Sequence, residues 1–133
     1  MATTKAKSAK ELVIEWCAGW PTIAADQFGR YFTDDARWIN IPMPGQVTVG
    51  PAAIAKMMAG FMRAFERVDI EVHHVAETDA GVVLVERTET FTFPGGKSFD
   101  LPVAAAFETS DGRIAVWRDY FDMAQFTSQV PGT

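Results

Sequence analysis

The sequence places an arginine and a carboxylic acid on the apolar side of a predicted β-strand. The segment Val82–Phe93 alternates as a strand does, and successive strand side chains point to opposite faces of a sheet. Arg87 and Glu89 therefore share one face with two valines and two phenylalanines, whereas the other face ends in three threonines. Charged side chains on an apolar face are costly unless they pair. Such a placement indicates a functional site more strongly than it indicates stability.

The complete candidate set consists of Arg87, Glu89, Asp119, Asn40 and Trp38. In the last predicted strand both alternating phases are partly apolar, so periodicity leaves open whether Arg118 or Asp119 points inward. Two carboxyl groups bridged by an arginine in an apolar pocket suit general acid–base chemistry, because neighbouring negative charges raise one pKa and leave the other group ionised. The alternative is a buried ion-pair network with a structural role, since such networks also perturb pKa values.

The composition predicts one folded domain over residues 1–133 and argues against several partners. Of its 133 residues, 48% are hydrophobic and 22% are charged, as in soluble globular proteins. The net charge of −5 argues against a nucleic-acid partner, which requires a basic face. No segment approaches the ~18 apolar residues of a membrane span, and the polar N-terminal segment predicts no secretory signal. We therefore expect a cytoplasmic protein without a membrane partner.

The first half of the chain predicts three helices. The segment Ser8–Glu11 is a capping-box pattern, which predicts a helix beginning at Ala9. A second, short helix is expected from Thr22 to about Gly29. Pro51 predicts the start of a third helix, because proline is favoured at the first helical position. The inward stripe of this third helix is predicted to contain Ile54, Met58, Phe61 and Phe65.

The remaining segments predict strands and turns. Residues 33–35 read as a turn, 36–40 as a short strand, and 41–45 as irregular because of two prolines. From Arg67 onward we expect an antiparallel meander with turns at 78–81, 94–97 and 110–113, and residues 123–130 form a short closing helix or tail. Helices followed by a meander indicate an α+β fold. We predict a curved antiparallel or mixed sheet with three N-terminal helices, forming a cone with a deep pocket.

The other chemically versatile residues predict no metal centre and no organic cofactor. His73 and His74 are neighbours on a predicted strand, so they face opposite ways and cannot bind one metal together. We interpret His74, which falls in the apolar phase, as a hydrogen-bonded histidine of the core or its rim. Cys17 is interpreted as a small buried apolar residue. The simplest interpretation of Trp16, Trp20 and Trp117 is as core aromatic residues.

Three segments of the chain resemble the limonene-1,2-epoxide hydrolase family: YFTDDARWIN, LVERTETF and GRIAVWRDYFD. That family belongs to the cone-shaped group that also contains nuclear transport factor 2 and ketosteroid isomerase. The resemblance extends from the first predicted helix to about Phe126. It implies an epoxide hydrolase without a cofactor, and it implies a homodimer because relatives with this cone are commonly dimeric.

The resemblance also implies a role for each candidate residue. Asp119 matches the general base that takes a proton from the attacking water, which places it inside the pocket. Arg87 matches the arginine between the two acids, and Asn40 matches the asparagine that holds the water. Glu89 stands in place of the usual aspartate, which protonates the epoxide oxygen. Trp38 stands in place of the usual tyrosine, a second water ligand.

The implied reaction is the one-step addition of water to a small apolar epoxide to give a vicinal diol. The expected substrate-binding residues are Met43, Met58, Phe61, Val85, Phe91, Leu101, Val103 and Phe121. Glutamate extends the acid by one methylene group, and tryptophan donates one hydrogen bond but cannot accept one, so the family's substrate is not carried over. Two alternatives remain: an isomerase or cyclase acting on a steroid or polyketide, and a non-catalytic binder of small apolar ligands.

Overall fold

Six β-strands form one mixed sheet in the described part of the chain, which the computed structural model gives as residues 7–43 and 45–130. The α-helices are α1 (Ala9–Gly19), α2 (Pro51–Met62) and α3 (Met123–Gln129). The strands are β1 (Phe32–Asn40), β2 (Val47–Val49), β3 (Arg67–Glu77), β4 (Val83–Thr92), β5 (Ser98–Ser110) and β6 (Arg113–Tyr120). Pro44 of the predicted irregular segment and the polar residues 1–6 lie outside the described residues.

Helix α1 begins where the capping-box pattern predicts. The Glu11 N–H donates to the Ser8 hydroxyl at 3.1 Å, and the Ser8 N–H donates to the Glu11 carboxylate at 3.3 Å. These bonds satisfy N–H groups that the start of a helix otherwise leaves unpaired. The helix packs against β3, β4 and β6. Its buried residues are Leu12, Val13, Trp16 and Cys17.

The predicted second helix differs in type from the observed structure. Two 3₁₀-helices, Trp20–Thr22 and Ala25–Arg30, replace a single α-helix. Pro21 lies within the first of them, and proline cannot supply the N–H that a continuous α-helix requires. The tighter 3₁₀ form is typical of such short connections. The third predicted helix is confirmed, with Pro51 at its first position, but it ends at Met62, so Phe65 of the predicted stripe follows the helix.

The predicted turn at residues 33–35 is wrong, because β1 runs without interruption from Phe32 to Asn40. Its pairing with β6 shifts register between Phe32 and Arg37, so the Thr-Asp-Asp segment lies in an irregular part of the strand. Strand β2 was not predicted. It has three residues and pairs with the outer edge of β1.

The meander of four C-terminal strands is confirmed, together with its three turns. Strand β1 then joins the sheet parallel to β6, which completes the order β2-β1-β6-β5-β4-β3. Helices cover the concave side of this curved mixed sheet, which is the predicted α+β cone. Among the described residues, no helix is both long enough and apolar enough to cross a membrane.

Two bulges change which side chains face the core. The β3–β4 register shifts between Val72 and His74, so the predicted core or rim position of His74 is wrong: the residue is exposed and hydrogen-bonds Glu86 at 2.8 Å. The β5–β6 register shifts between Glu108 and Thr109, where Ala115 of β6 has no partner in the register. A bulge inserts one extra residue and reverses the alternation beyond it. This second shift explains why periodicity alone left the phase of the last strand open.

Candidate active site

Strand β4 carries Arg87 and Glu89 into the core, as its alternation predicts. Their side chains are 1% and 8% exposed. In the strand register Arg87 lies opposite Val72 and Val103, and Glu89 lies opposite Leu101. The two charged groups are therefore surrounded by apolar neighbours, and only a partner inside the cone can compensate their burial.

Strand β6 supplies that partner, because Asp119 and not Arg118 points inward. The Asp119 side chain is 7% exposed, whereas Arg118 is only half-buried and pairs with Glu108 at 2.5 Å. Asp119 lies beside Asn40 of the parallel strand β1, and both side chains line the same cavity. The structure thus brings a carboxylate and an amide together at the ends of two adjacent strands.

Arg87 joins the two acids. Its Nε donates to Oε2 of Glu89 at 2.9 Å, and its Nη2 lies 2.8 Å from the same oxygen and 3.0 Å from Oδ1 of Asp119. Burial opposes the charge of Arg87, but the fields of Asp119 and Glu89 outweigh it and raise its pKa. The guanidinium therefore stays charged, and it holds one oxygen of each carboxyl group.

Glu89 is the acid that favours its protonated form. Burial raises the pKa of Glu89 above its ordinary value, and the nearby charge of Asp119 adds to this effect while Arg87 opposes it. Because Oε2 accepts from Arg87 Nε and lies 2.8 Å from Arg87 Nη2, a proton on Glu89 belongs on Oε1. Among the described residues, Oε1 makes no hydrogen bond, and Glu89 lines the cavity. The acidic proton is thus available to a ligand.

Trp117 holds Asp119 from a second direction, a contact that was not predicted. Its Nε1 donates to Oδ1 of Asp119 at 2.7 Å, and its ring is 1% exposed. The interpretation of Trp117 as a core aromatic is correct but incomplete. Residues two apart on a strand share a face, so the spacing of Trp117 and Asp119 carried the missing signal.

Trp38, the expected second water ligand, packs face to face against Trp117. Its ring stacks on Trp117 with centroids 4.7 Å apart and planes at 10°. Its Nε1 is buried and has no hydrogen-bond partner among the described residues. The role of Trp38 as a second water ligand therefore stays a prediction. Asn40 remains as the cavity-lining amide next to Asp119.

A cavity of about 570 Å³ opens above these polar groups. It is lined by seven of the eight expected substrate-binding residues, namely Met43, Met58, Phe61, Phe91, Leu101, Val103 and Phe121. The eighth, Val85, is buried but does not line the cavity. The wall also includes Met123, Phe126 and Val130 of the α3 region, which were not predicted. Their i, i+3, i+7 spacing is the helical signal that would have identified them.

The described residues contain no group of three or more side chains suited to holding a metal ion. The predicted burial of Cys17 is confirmed, since it is 1% exposed. Burial raises the pKa of Cys17 to about 12, so its thiol stays protonated at neutral pH. An inert buried thiol of this kind acts as a packing residue.

The chain resembles several known proteins in sequence and fold. Residues 13–117 match the model of the SnoaL-like domain. The epoxide hydrolase EphG of Mycobacterium tuberculosis is 38% identical over 55 residues, which cover 41% of this chain and 36% of that protein. The chain thus matches little more than a third of the length of that curated relative.

Solved structures share the whole fold at low sequence identity. An M. tuberculosis LEH-like epoxide hydrolase superposes with a TM-score of 0.74 and 24% identity, covering 92% of this chain and 88% of that one. TerC, co-crystallised with polyporic acid, gives a TM-score of 0.78 at 18% identity, covering 92% of this chain and 97% of that one. A protein with a ketosteroid isomerase-like fold from Catenulispora acidiphila, in complex with trimethylamine, gives a TM-score of 0.77 at 21% identity, covering 90% of this chain and 92% of that one. On the match of residues 13–117, this chain belongs to the SnoaL-like domain family.

Proposed function

We propose that this protein is a cofactor-independent epoxide hydrolase of the limonene-1,2-epoxide hydrolase type, which adds water to an apolar epoxide in one step. The observation that carries the proposal is the Arg87 bridge between Glu89 and Asp119 at the wall of an apolar cavity. One shared arginine and unequal surroundings favour one protonated and one ionised carboxyl group. Ring opening by water requires such a pair, an acid and a base at once.

In the proposed mechanism Asp119 acts as the base. Its Oδ1 accepts from Arg87 and Trp117, and Oδ2 makes no hydrogen bond among the described residues, which leaves it for a water held by the Asn40 amide. The water oxygen bonds to an epoxide carbon as its proton moves to Asp119. A general base with a free, oriented oxygen fits this step.

Glu89 acts as the acid in the same step. As the carbon–oxygen bond breaks, the proton on Oε1 moves to the departing epoxide oxygen, which becomes the second hydroxyl of the diol. Glu89 is then ionised and Asp119 protonated, and transfer of one proton between them, directly or through water, restores the starting state. Arg87 stabilises whichever acid is ionised, so the pair keeps one net negative charge throughout.

A second candidate is an isomerase or cyclase acting on a steroid or polyketide. The observation that favours it is the raised pKa of Glu89, because a neutral carboxylic acid also donates a hydrogen bond to a developing oxyanion. The arginine bridge fits this chemistry less well, since a proton-transferring base needs no charged link to the oxyanion donor. The third alternative is a non-catalytic binding protein, but such a protein does not require three buried ionisable groups, which are costly to bury.

The direct experiment is to incubate the purified protein with terpene, aryl and polycyclic epoxides and detect diols by mass spectrometry. In ¹⁸O-labelled water, a single turnover should place the label in the diol, because no enzyme carboxylate oxygen enters the product. A conjugated-ketone isomerisation assay runs in parallel. If no epoxide gave a diol and the second assay detected isomerisation, the protein would be assigned as an isomerase instead.

We further propose that the chain forms a homodimer through the outer face of the sheet. Side chains that point away from the helices include the exposed apolar residues Val47, Val49, Leu84 and Tyr120. Apolar side chains grouped on one sheet face favour contact with another surface. The same patch on two copies can pair about a twofold axis.

A further inference from the structure

Trp117 is the central ring of three parallel aromatic side chains on adjacent strands. Trp38 of β1 and Phe107 of β5 both lie directly opposite Trp117 in register. Their ring centroids are 4.7 and 5.8 Å from that of Trp117, and the interplanar angles are 10° and 14°. We call these three residues the aromatic ladder. Because β1 and β5 flank β6 on opposite sides, the ladder holds both faces of the Trp117 indole.

The edge of the same indole points at the proposed base. Trp117 Nε1 lies 2.7 Å from Oδ1 of Asp119, and Arg87 Nη2 lies 3.0 Å from that oxygen. Two donors on one oxygen fix the rotation of the carboxylate and leave Oδ2 facing the cavity. A tilt of the indole plane would move its N–H and allow the carboxylate to turn.

Trp38 contributes a ring face and no hydrogen bond. Its Nε1 is buried without a partner among the described residues, although the ring lines the cavity. Trp16 and Trp20 also have buried, unpartnered Nε1 atoms. Trp117 is therefore the one tryptophan of the four in the chain whose indole N–H has a recorded acceptor among the described residues.

We propose, on the basis of the proposed function, that Trp117 is a positioning residue for the base Asp119 and that Trp38 acts through Trp117. In this chain the tryptophan at position 38 takes no part in holding the water. It stacks on the indole whose N–H orients Asp119, and Asn40 alone supplies the amide contact to the water. The alternative is that the aromatic ladder only fills the core.

The kinetic test separates ring stacking from hydrogen bonding. Trp117→Phe keeps an aromatic ring in the ladder but removes the N–H, and we expect kcat to fall by about ten- to a hundredfold with KM little changed. Trp38→Phe keeps a stacked ring, so it should lose less kcat than Trp38→Leu, which removes the stack. Trp16→Phe, which deletes a buried N–H with no acceptor, is the matched control and should retain kcat.

Two kinetic outcomes would overturn the proposal. If Trp117→Phe kept the wild-type kcat, the N–H would not position the base. If Trp38→Phe lost as much activity as Trp38→Leu, the N–H of Trp38 would contribute directly and the ladder would not explain its role. Circular dichroism of each variant shows whether the fold is retained.

An NMR measurement tests the geometry without requiring turnover. The four indole N–H signals are assigned through the single tryptophan variants. The Trp117 signal should lie furthest downfield, since its acceptor is a carboxylate at 2.7 Å. It should shift in Asp119→Asn and in Trp38→Leu but not in Trp20→Phe. Trp20 is the control here because the described residues show no ring contact between it and Trp117, whereas the Trp16 ring lies 5.5 Å from that of Trp117. Insensitivity to Asp119→Asn would refute the positioning contact, whereas a responsive signal in a protein that produces no diol would refute the proposed reaction alone.

Discussion

Glu89 and Asp119 share one arginine but accept different sets of hydrogen bonds. Oε2 of Glu89 accepts a hydrogen bond from Arg87 Nε, whereas Oδ1 of Asp119 accepts one from Arg87 and one from Trp117. Asp119 thus has donors from two residues, whereas burial raises the pKa of Glu89. The difference between two similar groups therefore lies in their neighbours, which supports the proposed division into base and acid.

We expect Asp119→Asn to lower kcat by about 10²–10⁴-fold, because an amide of nearly the same shape cannot take a proton from water. Stopped-flow or end-point diol assays would measure the loss. Asp69→Asn, on an exposed acid that pairs with Arg67, is the control and should behave as wild type. Near-wild-type rates in Asp119→Asn would assign the base to another group.

Glu89 should make both activity and stability decline toward alkaline pH. Its folded-state pKa is raised above 4.5, so the folded protein holds this proton more tightly than the unfolded chain does. The resulting stabilisation is complete below the unfolded pKa and is lost as pH rises through the folded pKa. Thermal melts at increasing pH should therefore show wild type losing stability relative to Glu89→Gln, which does not titrate. A constant difference between the two proteins would contradict the raised pKa.

Arg87→Ala should destabilise the fold by about 3–5 kcal/mol, because it leaves two buried acids without their cation. Chemical denaturation would measure the change. Arg87→Lys keeps a charge but loses the fork that reaches both acids, so it should fall between wild type and the alanine variant. Equal stability of Arg87→Ala and wild type would mean that the ion pairs contribute nothing to the folded state.

At the scale of single elements, bulges decide which side chains reach the cavity. The shift opposite Ala115 allows Ile114, Trp117 and Asp119 all to be buried, which regular alternation forbids. The shift at His73 has the opposite effect and turns His74 outward. Regular alternation in β4 needs no such correction, and there Arg87 and Glu89 lie where periodicity predicts.

Helix α3 closes one side of the cavity, and its role in binding is testable. Phe126 stacks on Phe61 with centroids 5.8 Å apart, and both line the cavity. Burying a phenylalanine is worth roughly 1.5–3 kcal/mol, so Phe126→Ala should raise KM for a bulky epoxide by about tenfold or more with kcat nearly unchanged. The control is Gln129→Ala, at an exposed residue of the same helix. A fall in kcat at constant KM would place Phe126 in the chemical step instead.

At the scale of the whole molecule, the two faces of the sheet carry different kinds of side chain. The concave face carries the ion-pair site and the cavity. The outer face carries exposed apolar side chains, including Leu84 and Tyr120 at 45% each. This asymmetry is the reason for proposing that the outer face pairs two copies while the concave faces remain free to bind substrate.

Leu84→Glu should convert the proposed dimer to a monomer, because a buried unpaired carboxylate at the centre of an interface is costly. Sedimentation equilibrium of wild type and variant would measure the mass. Ile14→Glu places the same charge at an exposed apolar residue of α1 and should leave the dimer intact. A wild-type protein that sediments at the monomer mass of 14.6 kDa would refute the proposal.

Local patterns in the sequence were sufficient to predict the start of α1, the start of α2, the meander and the inward direction of the Arg87 and Glu89 side chains. Each depends on neighbours within a few residues: a capping box at Ser8, a proline at position 51, or strict alternation along β4. An arginine in an apolar phase also indicated the ion pairs of the candidate site, because a buried charge requires a partner.

Only the tertiary structure decided the features that depend on contacts between distant segments. The bulges at His73 and Ala115 arise from pairing with β4 and β5, so no local pattern reveals them. The N–H of Trp38 is buried without a hydrogen-bond partner among the described residues, and its ring stacks on Trp117, a residue nearly eighty positions away in the chain. Its sequence match indicated a water ligand, but ring packing across the parallel strands determines where the N–H lies. The physical reason is that the residue type determines which hydrogen bonds a side chain can donate, whereas its neighbours in space determine whether an acceptor is present.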